Sequence, residues 1–320
     1  MKARIIVTVI VLVLAVSAVS YVILHLLSSS EALYSVGLGV EFNTHATPVW
    51  VALHNGVFSK YGINVGSVLK FRTGLELAAA LARGDVKVGW ACLGPALLII
   101  DKGIPVKIVA KVHNHGYALV VNSSRIRGIE DLNGAIIYSP GKGSPCYLLL
   151  LKIEDVYHIK FKAIKFMSPA TLLSALLSGE VYAAALSEHY ASVAESKGLK
   201  VLVRSQDVWP DMPGSYLVVD NEFLKAHPEL VKKLIQVTHE GVESIRHNLS
   251  YTALVDSKVL GVSVAVAEHS IRMLDWNTTL NIKEIQEYID FMYEHGILYN
   301  RLNATDLVTE LGPQESGDSW

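Results

Sequence analysis

Two periods of apolar spacing alternate along this chain, and their order repeats. From residue 73 apolar positions recur at helical spacing up to Gly84. A short apolar run follows, helical spacing returns, and a second run follows Gly103. The pattern predicts helix, strand, helix, strand over residues 73–109. The same order returns without a gap from residue 168, an offset of 168 − 73 = 95, so that Leu77, Leu81, Gly84 and Gly103 meet Leu172, Leu176, Gly179 and Gly198. Each copy opens on a residue suited to cap a helix: Thr73, with Gly74 next and Glu76 to complete a capping box, and Ser168, with Pro169 at the first helical position. Gly84 and Gly179 read as left-handed C-caps. Strands are expected at 86–91 and 181–186. Strands that alternate with crossover helices predict a parallel sheet, and two copies are too few for a solenoid. The expected architecture is therefore α/β, with two similar lobes, each a central sheet flanked by helices, facing each other across a cleft.

The remaining pattern fits two lobes. Residues 34–40 predict a first strand, Thr47-Pro48 caps a helix, and 65–71 and 106–112 predict further strands. Residues 113–116 look like a crossover into lobe two. There 118–121 and 135–138 predict strands, and Ser144-Pro145 caps a helix in a phrase, SPCYLLL, that echoes TPVWVAL in the first lobe. Residues 206–214, with Trp209, Pro210, Pro213 and Gly214, read as the return crossover, and 216–219 as one more strand. Helices at 228–247, 264–274 and 282–294 have apolar spacing suited to packing on lobe one. Lobe one thus takes 31–116 and 210–311, lobe two takes 117–209, and the polar, aperiodic 312–320 is expected to be a disordered tail.

Ahead of the lobes, Lys2 and Arg4 precede an uncharged, mostly apolar run over 5–27, and no further Lys or Arg occurs before Lys60. The run is long enough to span a hydrocarbon core of ~30 Å. The charge asymmetry places the N-terminus in the cytoplasm and the folded part outside. Residues 1–30 therefore read as a single-pass anchor, because 21–27 prolong the apolar run past the small-residue stretch AVSAVS. Cleavage there as a signal peptide, with secretion, is the other reading. A net charge of −2 and the absence of basic clusters beyond Lys232-Lys233 argue against a nucleic-acid partner. Two cysteines supply neither a disulfide framework nor a cysteine-based zinc site. Four sequons, at Asn122, Asn248, Asn277 and Asn303, suit an extracytoplasmic chain.

Five stretches in order carry a resemblance: PVWVALHNGVFSKYGINV, ALARGDVKVGWACLGPAL, IEDLNGAIIYSPGKGS, ALLSGEVYAAALSEHYA, and GIL followed by Asp306-Leu307-Val308. Over about residues 34–310 the chain resembles the extracytoplasmic substrate-binding proteins of ABC importers, in the branch that binds nitrate, sulfonates, taurine or thiamine pyrimidine precursors. The resemblance implies a type II periplasmic-binding-protein fold with two crossover strands. It also implies a monomer without cofactor that captures a small, anionic ligand and delivers it to an importer's permease and ATPase. His189 stands where the family has Pro, and Tyr182 where it has an acidic residue. Related pyrimidine-synthesising enzymes carry a run of cysteines that is absent here, which disfavours catalysis. An enzyme on the same fold acting on a small carboxylate is the reading from another class.

The site follows from the framework without the family. Ligands of open α/β sheets sit beyond the carboxyl ends of strands, where helix N-termini offer free N–H groups and partial positive charge. The expected ligand contacts are therefore the cap pairs Thr47, Thr73 with Gly74, Ser144 and Ser168; Gly143, which lets the backbone approach closely; and the loop Cys92, Leu93 and Gly94. Glu188 occupies the equivalent loop of lobe two, facing Leu93 in the overlay, and His45 stands two residues ahead of a cap. Lys142 reads first as a solvated lysine and Trp90 first as core. His113-Asn114-His115 does not form a metal pair, because residues two apart on an extended segment point to opposite sides. Cys92 and Cys146 are read as small apolar residues, and no metal or catalytic set is expected.

Overall fold

The computed structural model describes residues 34–311. The expected anchor or signal segment and the expected tail at 312–320 lie outside the described residues. Among the described residues no single helix is long and apolar enough to cross a membrane.

Two five-stranded sheets organise the chain. The first runs β2 (Ile63–Phe71), β1 (Tyr34–Glu41), β3 (Val88–Cys92), β11 (Ser215–Asp220), β4 (Val106–Lys111). The second runs β10 (Lys200–Arg204), β6 (Tyr117–Val121), β9 (Ala183–Ser187), β7 (Ile136–Ser139), β8 (Ala163–Phe166). The repeat is visible element by element. Helix α2 (Gly74–Arg83), β3 and α3 (Leu93–Asp101) in the first lobe match α5 (Pro169–Ser178), β9 and α6 (Glu188–Ser196) in the second, each at the offset of 95. Gly84 and Gly179 end α2 and α5 with φ of 77° and 76°, a conformation that costs a residue with a Cβ.

The sheets are mixed, which corrects the expectation of parallel ones. In the first, β11 runs antiparallel to β3 and β4; in the second, β6 runs antiparallel to β9 and β10. The physical reason lies in the route of the chain. Strands β3 and β9 end at the cleft, whereas β6 and β11 each follow a crossover and so start there: Tyr117 pairs with Ser187 and Ser215 with Cys92. The strand over 163–166 and the helix α8 (Leu249–Leu260) were not anticipated.

The crossovers pack side by side. Strand β5 (His113–His115) pairs antiparallel with β12 (Leu274–Trp276), Asn114 bridges to Pro213, and His115 N–H donates to the Met212 carbonyl at 2.9 Å. Helix α1 (Thr47–His54) packs with α7 (Pro228–His247) and α8 against the first sheet, in a core that holds Trp50, Trp90, Leu217, Leu234 and Val255. Helix α4 (Pro145–Tyr157) belongs to the second lobe, yet its Leu148 and Leu149 share one buried cluster with Leu97 of the first. The lobes are closed on each other.

Candidate functional site

Between the closed lobes lies a cavity of about 30 Å³ lined by Glu41, His45, Thr73, Cys92, Tyr117 and Ser144, with Gly74, Cys146, Pro169 and Ser187 among its other walls. That is far below the roughly 150 Å³ that admits a benzene-sized molecule, so a ligand of several heavy atoms enters only when the lobes part.

Glu41 organises the first-lobe wall. It is the last residue of β1, at the carboxyl edge of the sheet, and is buried. Its Oε1 accepts the Cys92 N–H at 2.7 Å, where α3 begins, and stands 2.6 Å from where a Cβ on Gly74 would lie, at the start of α2. Any side chain at position 74 would displace the carboxylate. Its Oε2 accepts from Asn43 Nδ2 at 3.2 Å. A carboxylate beside two helix N-termini is favoured by their dipoles, and this one takes the N–H at the start of α3 for itself.

His45 is buried beside it. Its Nε2 lies 3.1 Å from the Gly116 carbonyl oxygen, which only accepts, so Nε2 carries the proton. The lone pair on Nδ1 then faces Cys92 Sγ at 3.6 Å and Glu41 Oε2 at 4.0 Å. Burial lowers the His45 pKa, with Glu41 and the Gly116 carbonyl pulling the other way, and burial pushes the Cys92 thiol well up. Tyr117 Oη and Ser215 Oγ lie 3.2 and 3.6 Å from Cys92 Sγ. Glu41, His45 and Cys92 each offer one atom within 4.8 Å of the others, a set that could hold a metal ion. None of these three residues belongs to the His113-Asn114-His115 pattern. The set here exists because β3 lies beside β1, which no spacing announces.

The second-lobe wall is helix ends. Ser144 caps α4 by accepting the Tyr147 N–H at 3.2 Å while donating to the Gly141 carbonyl at 2.8 Å. Ser168 caps α5, accepting the Thr171 N–H at 3.3 Å, but it is Pro169 rather than Ser168 that lines the cavity. In the first lobe Thr73 caps α2 at 3.2 Å from the Glu76 N–H. The Glu76 carboxylate reaches back to the Arg72 N–H, one residue past the Thr73 N–H that a capping box uses. Gly94 and Gly143 are where the lobes touch: a Cβ on Gly94 would stand 2.7 Å from the Gly143 carbonyl oxygen, and Gly143 itself has φ of 82°. Leu93 is buried behind this contact.

Ser168, Leu93, Gly94 and Gly143 do not line the cavity, and neither do Thr47 and Glu188. Thr47 is not the cap of α1: Ala46 holds that position without a side-chain bond, and the buried Thr47 hydroxyl lies 2.6 Å from the Thr44 carbonyl and 2.8 Å from Asp256 Oδ1. Pro48 at the second helical position, rather than the first, moved the cap by one residue. Glu188 faces away from the cavity. Its carboxylate takes the Arg204 guanidinium at 3.1 Å and the Ser192 hydroxyl at 3.2 Å, so it holds its own lobe together. Burial raises its pKa and Arg204 draws it back. The other donor group, Glu188 with Glu195 and His269, is filled by the same guanidinium, which also reaches Glu195. Lys142 is exposed and outside the cavity lining, and Trp90 is core, its Nε1–H donating to Thr238 Oγ1 at 3.0 Å. Glu41 and Tyr117 were missed. An acidic residue directly after the first predicted strand was the available signal, since that is where strands deliver side chains to a cleft.

Residues 43–248 match the family described as NMT1/THI5 like. The taurine-binding periplasmic protein of Escherichia coli (strain K12) is 28% identical over 204 residues, 62% of this chain and 63% of that relative. Among the similar solved structures are two binding proteins, each with a TM-score of 0.77. The alkanesulfonate-binding protein SsuA from Xanthomonas axonopodis pv. citri, bound to MOPS, is 19% identical and matches 88% of this chain and 99% of its own. The periplasmic nitrate-binding protein NrtA from Synechocystis PCC 6803 is 14% identical, with 88% and 87%. At these identities the structural likeness shows the periplasmic-binding-protein fold.

Proposed function

The chain belongs to the NMT1/THI5-like family, and on that premise we propose that it is an extracytoplasmic solute-binding protein, a binder rather than an enzyme, that closes on a small ligand between its lobes and delivers it to an ABC importer. Lys2 and Arg4 ahead of the apolar run support a cytoplasmic N-terminus, with the run as tether. Relatives named for taurine, alkanesulfonate and nitrate support an oxyanion at one end of the ligand.

The observation that carries the ligand class is Glu41. It stands in the cleft wall, repels a simple anion, and offers a carboxylate to an amine. Across the cavity the N-terminus of α4, with Ser144 and Cys146, is the wall suited to an oxyanion. A short zwitterion, an aminosulfonate of the taurine type, satisfies both: sulfonate toward α4, ammonium toward Glu41. A pyrimidine finds no stacking face in Trp90, which is in the core.

Calorimetry tests this with taurine, an alkyl sulfonate, nitrate and an aminopyrimidine on metal-free protein. Glu41→Gln is expected to weaken taurine by about 1.5–3 kcal/mol, the worth of a hydrogen bond to a charged group, and to leave the alkyl sulfonate unchanged or improved. Equal losses for both, or no ligand of the panel binding below about millimolar, would sink the reading.

A further inference from the structure

We propose that Glu41, His45 and Cys92 form a three-ligand site for a divalent transition metal of the zinc class, with its fourth position open to the cleft. The inference goes beyond the solute reading and does not depend on it. The three residues come from two neighbouring strands and the turn after β1, and all are buried. Ligand atoms bound tetrahedrally to one zinc stand roughly 3.3–3.6 Å apart. Cys92 Sγ and His45 Nδ1 are 3.6 Å apart already, and Glu41 Oε2, at 4.0 Å from Nδ1, reaches the rest by a small carboxylate rotation.

Each ligand also has the support that metal ligands take. His45 donates its far ring N–H to the Gly116 carbonyl, which fixes the ring and leaves the Nδ1 lone pair facing the other two donors. Tyr117 and Ser215 bring hydroxyls to the Cys92 sulfur, donors suited to a thiolate. Asn43 holds the Glu41 oxygen that would ligate, and the Cys92 N–H holds the other.

The donor set selects the ion. One sulfur, one imidazole nitrogen and one carboxylate oxygen suit zinc or cobalt and disfavour magnesium and calcium, which take oxygen alone. Binding displaces the Cys92 thiol proton to solvent. Thiolate and carboxylate then neutralise the dication, so the closed cleft buries no net charge. The cavity beyond supplies the fourth ligand, water or a donor atom of a solute. Ion and ammonium draw on the same carboxylate, so zinc opposes an amine-bearing ligand at Glu41.

The test is titration of the full chain, purified in detergent and stripped with a chelator, with zinc chloride alone and with cobalt(II) alone. One zinc is expected to bind at micromolar Kd or tighter, and cobalt to give a thiolate-to-cobalt charge-transfer band with a tetrahedral visible spectrum. Cys92→Ser is expected to lose the band, and Cys92→Ser and His45→Ala each to weaken zinc by about a hundredfold or more. Absence of zinc binding below about millimolar, a cobalt complex without the thiolate band, or undiminished affinity in Cys92→Ser overturns the site. The cobalt spectrum is read on the unmodified chain, so it decides even where a variant folds poorly. Failure here leaves the taurine calorimetry untouched, and failure there leaves the metal titration untouched.

Discussion

In the first repeat the helix after the cleft strand begins with Leu93, and in the second it begins at the same step with Glu188; both side chains are fully buried. The backbone around them is equivalent, but their partners are not. Leu93 joins the large apolar cluster that spans the closed lobes, whereas Glu188 meets a guanidinium from the end of β10. The first lobe takes its cleft carboxylate from Glu41, outside the repeat. Duplication thus fixed where helices and strands run, and each lobe placed its buried acid according to the neighbours it has.

Exchanging the two residues puts the most weight on that comparison. Leu93→Glu buries a carboxylate with no guanidinium to receive it, and is expected to destabilise by about 3–5 kcal/mol or abolish folding. Glu188→Leu is expected to cost roughly 3 kcal/mol, at the low end for breaking a buried pair, since Arg204 keeps Glu195 at 2.5 Å. Denaturant unfolding measures both. A Leu93→Glu cost under about 1 kcal/mol would mean that the first lobe accepts an acid there as readily as the second and that the contrast is empty.

A third buried acid gives the contrast a pH axis. Asp256, on α8, meets only the hydroxyls of Thr44 and Thr47, and burial pushes its pKa up from 3.8 to about 7. The folded chain keeps a proton that the unfolded chain releases between those values. Its contribution is therefore most favourable at low pH and is lost as pH rises toward 7, by on the order of 4 kcal/mol. Asp256→Asn is expected to remove that slope when unfolding free energy is measured from pH 4 to 8. A slope that survives the substitution would place the proton elsewhere.

The smallest effect concerns the lobe contact. Gly94 of the first copy corresponds to His189 of the second, so one lobe has no side chain where the other has a ring. Gly94→Ala is expected to leave unfolding within about 0.5 kcal/mol but to weaken a bound solute about tenfold, or 1.4 kcal/mol, because the added carbon meets the Gly143 carbonyl. Solution scattering should show the unmodified chain contracting with saturating solute and the variant contracting less. Identical contraction would show that the two glycines do not set how far the lobes close.

How far the chain could be read in advance follows from the same physics. The offset of 95 placed α2, β3 and α3 on α5, β9 and α6 because caps, terminal glycines and apolar spacing are local signals. Strand direction was not legible, since it depends on which end of a sheet the chain enters after a crossover. Of the residues read as ligand contacts, His45, Thr73, Gly74, Cys92 and Ser144 line the cavity. Glu188 was misassigned because Arg204, its partner 16 residues on, looks like any surface arginine until β10 lies beside β6. Glu41 carried no motif, only a position at the end of a strand.

The paired crossovers have a mechanical consequence. Asn114 sits between Pro213 on one side and Asp275 on the other, so the lobes are joined by a ribbon rather than by two loose cords. A hydrogen-bonded ribbon twists and bends far more readily than its strands slide past one another. If the lobes part and close as proposed, such a ribbon confines them to one arc about a common axle, and occupancy of the cleft is converted into a position on that arc. A partner that grips both lobes reads an angle. It needs no contact with the solute, so one such partner can serve every solute that brings the lobes to the same setting.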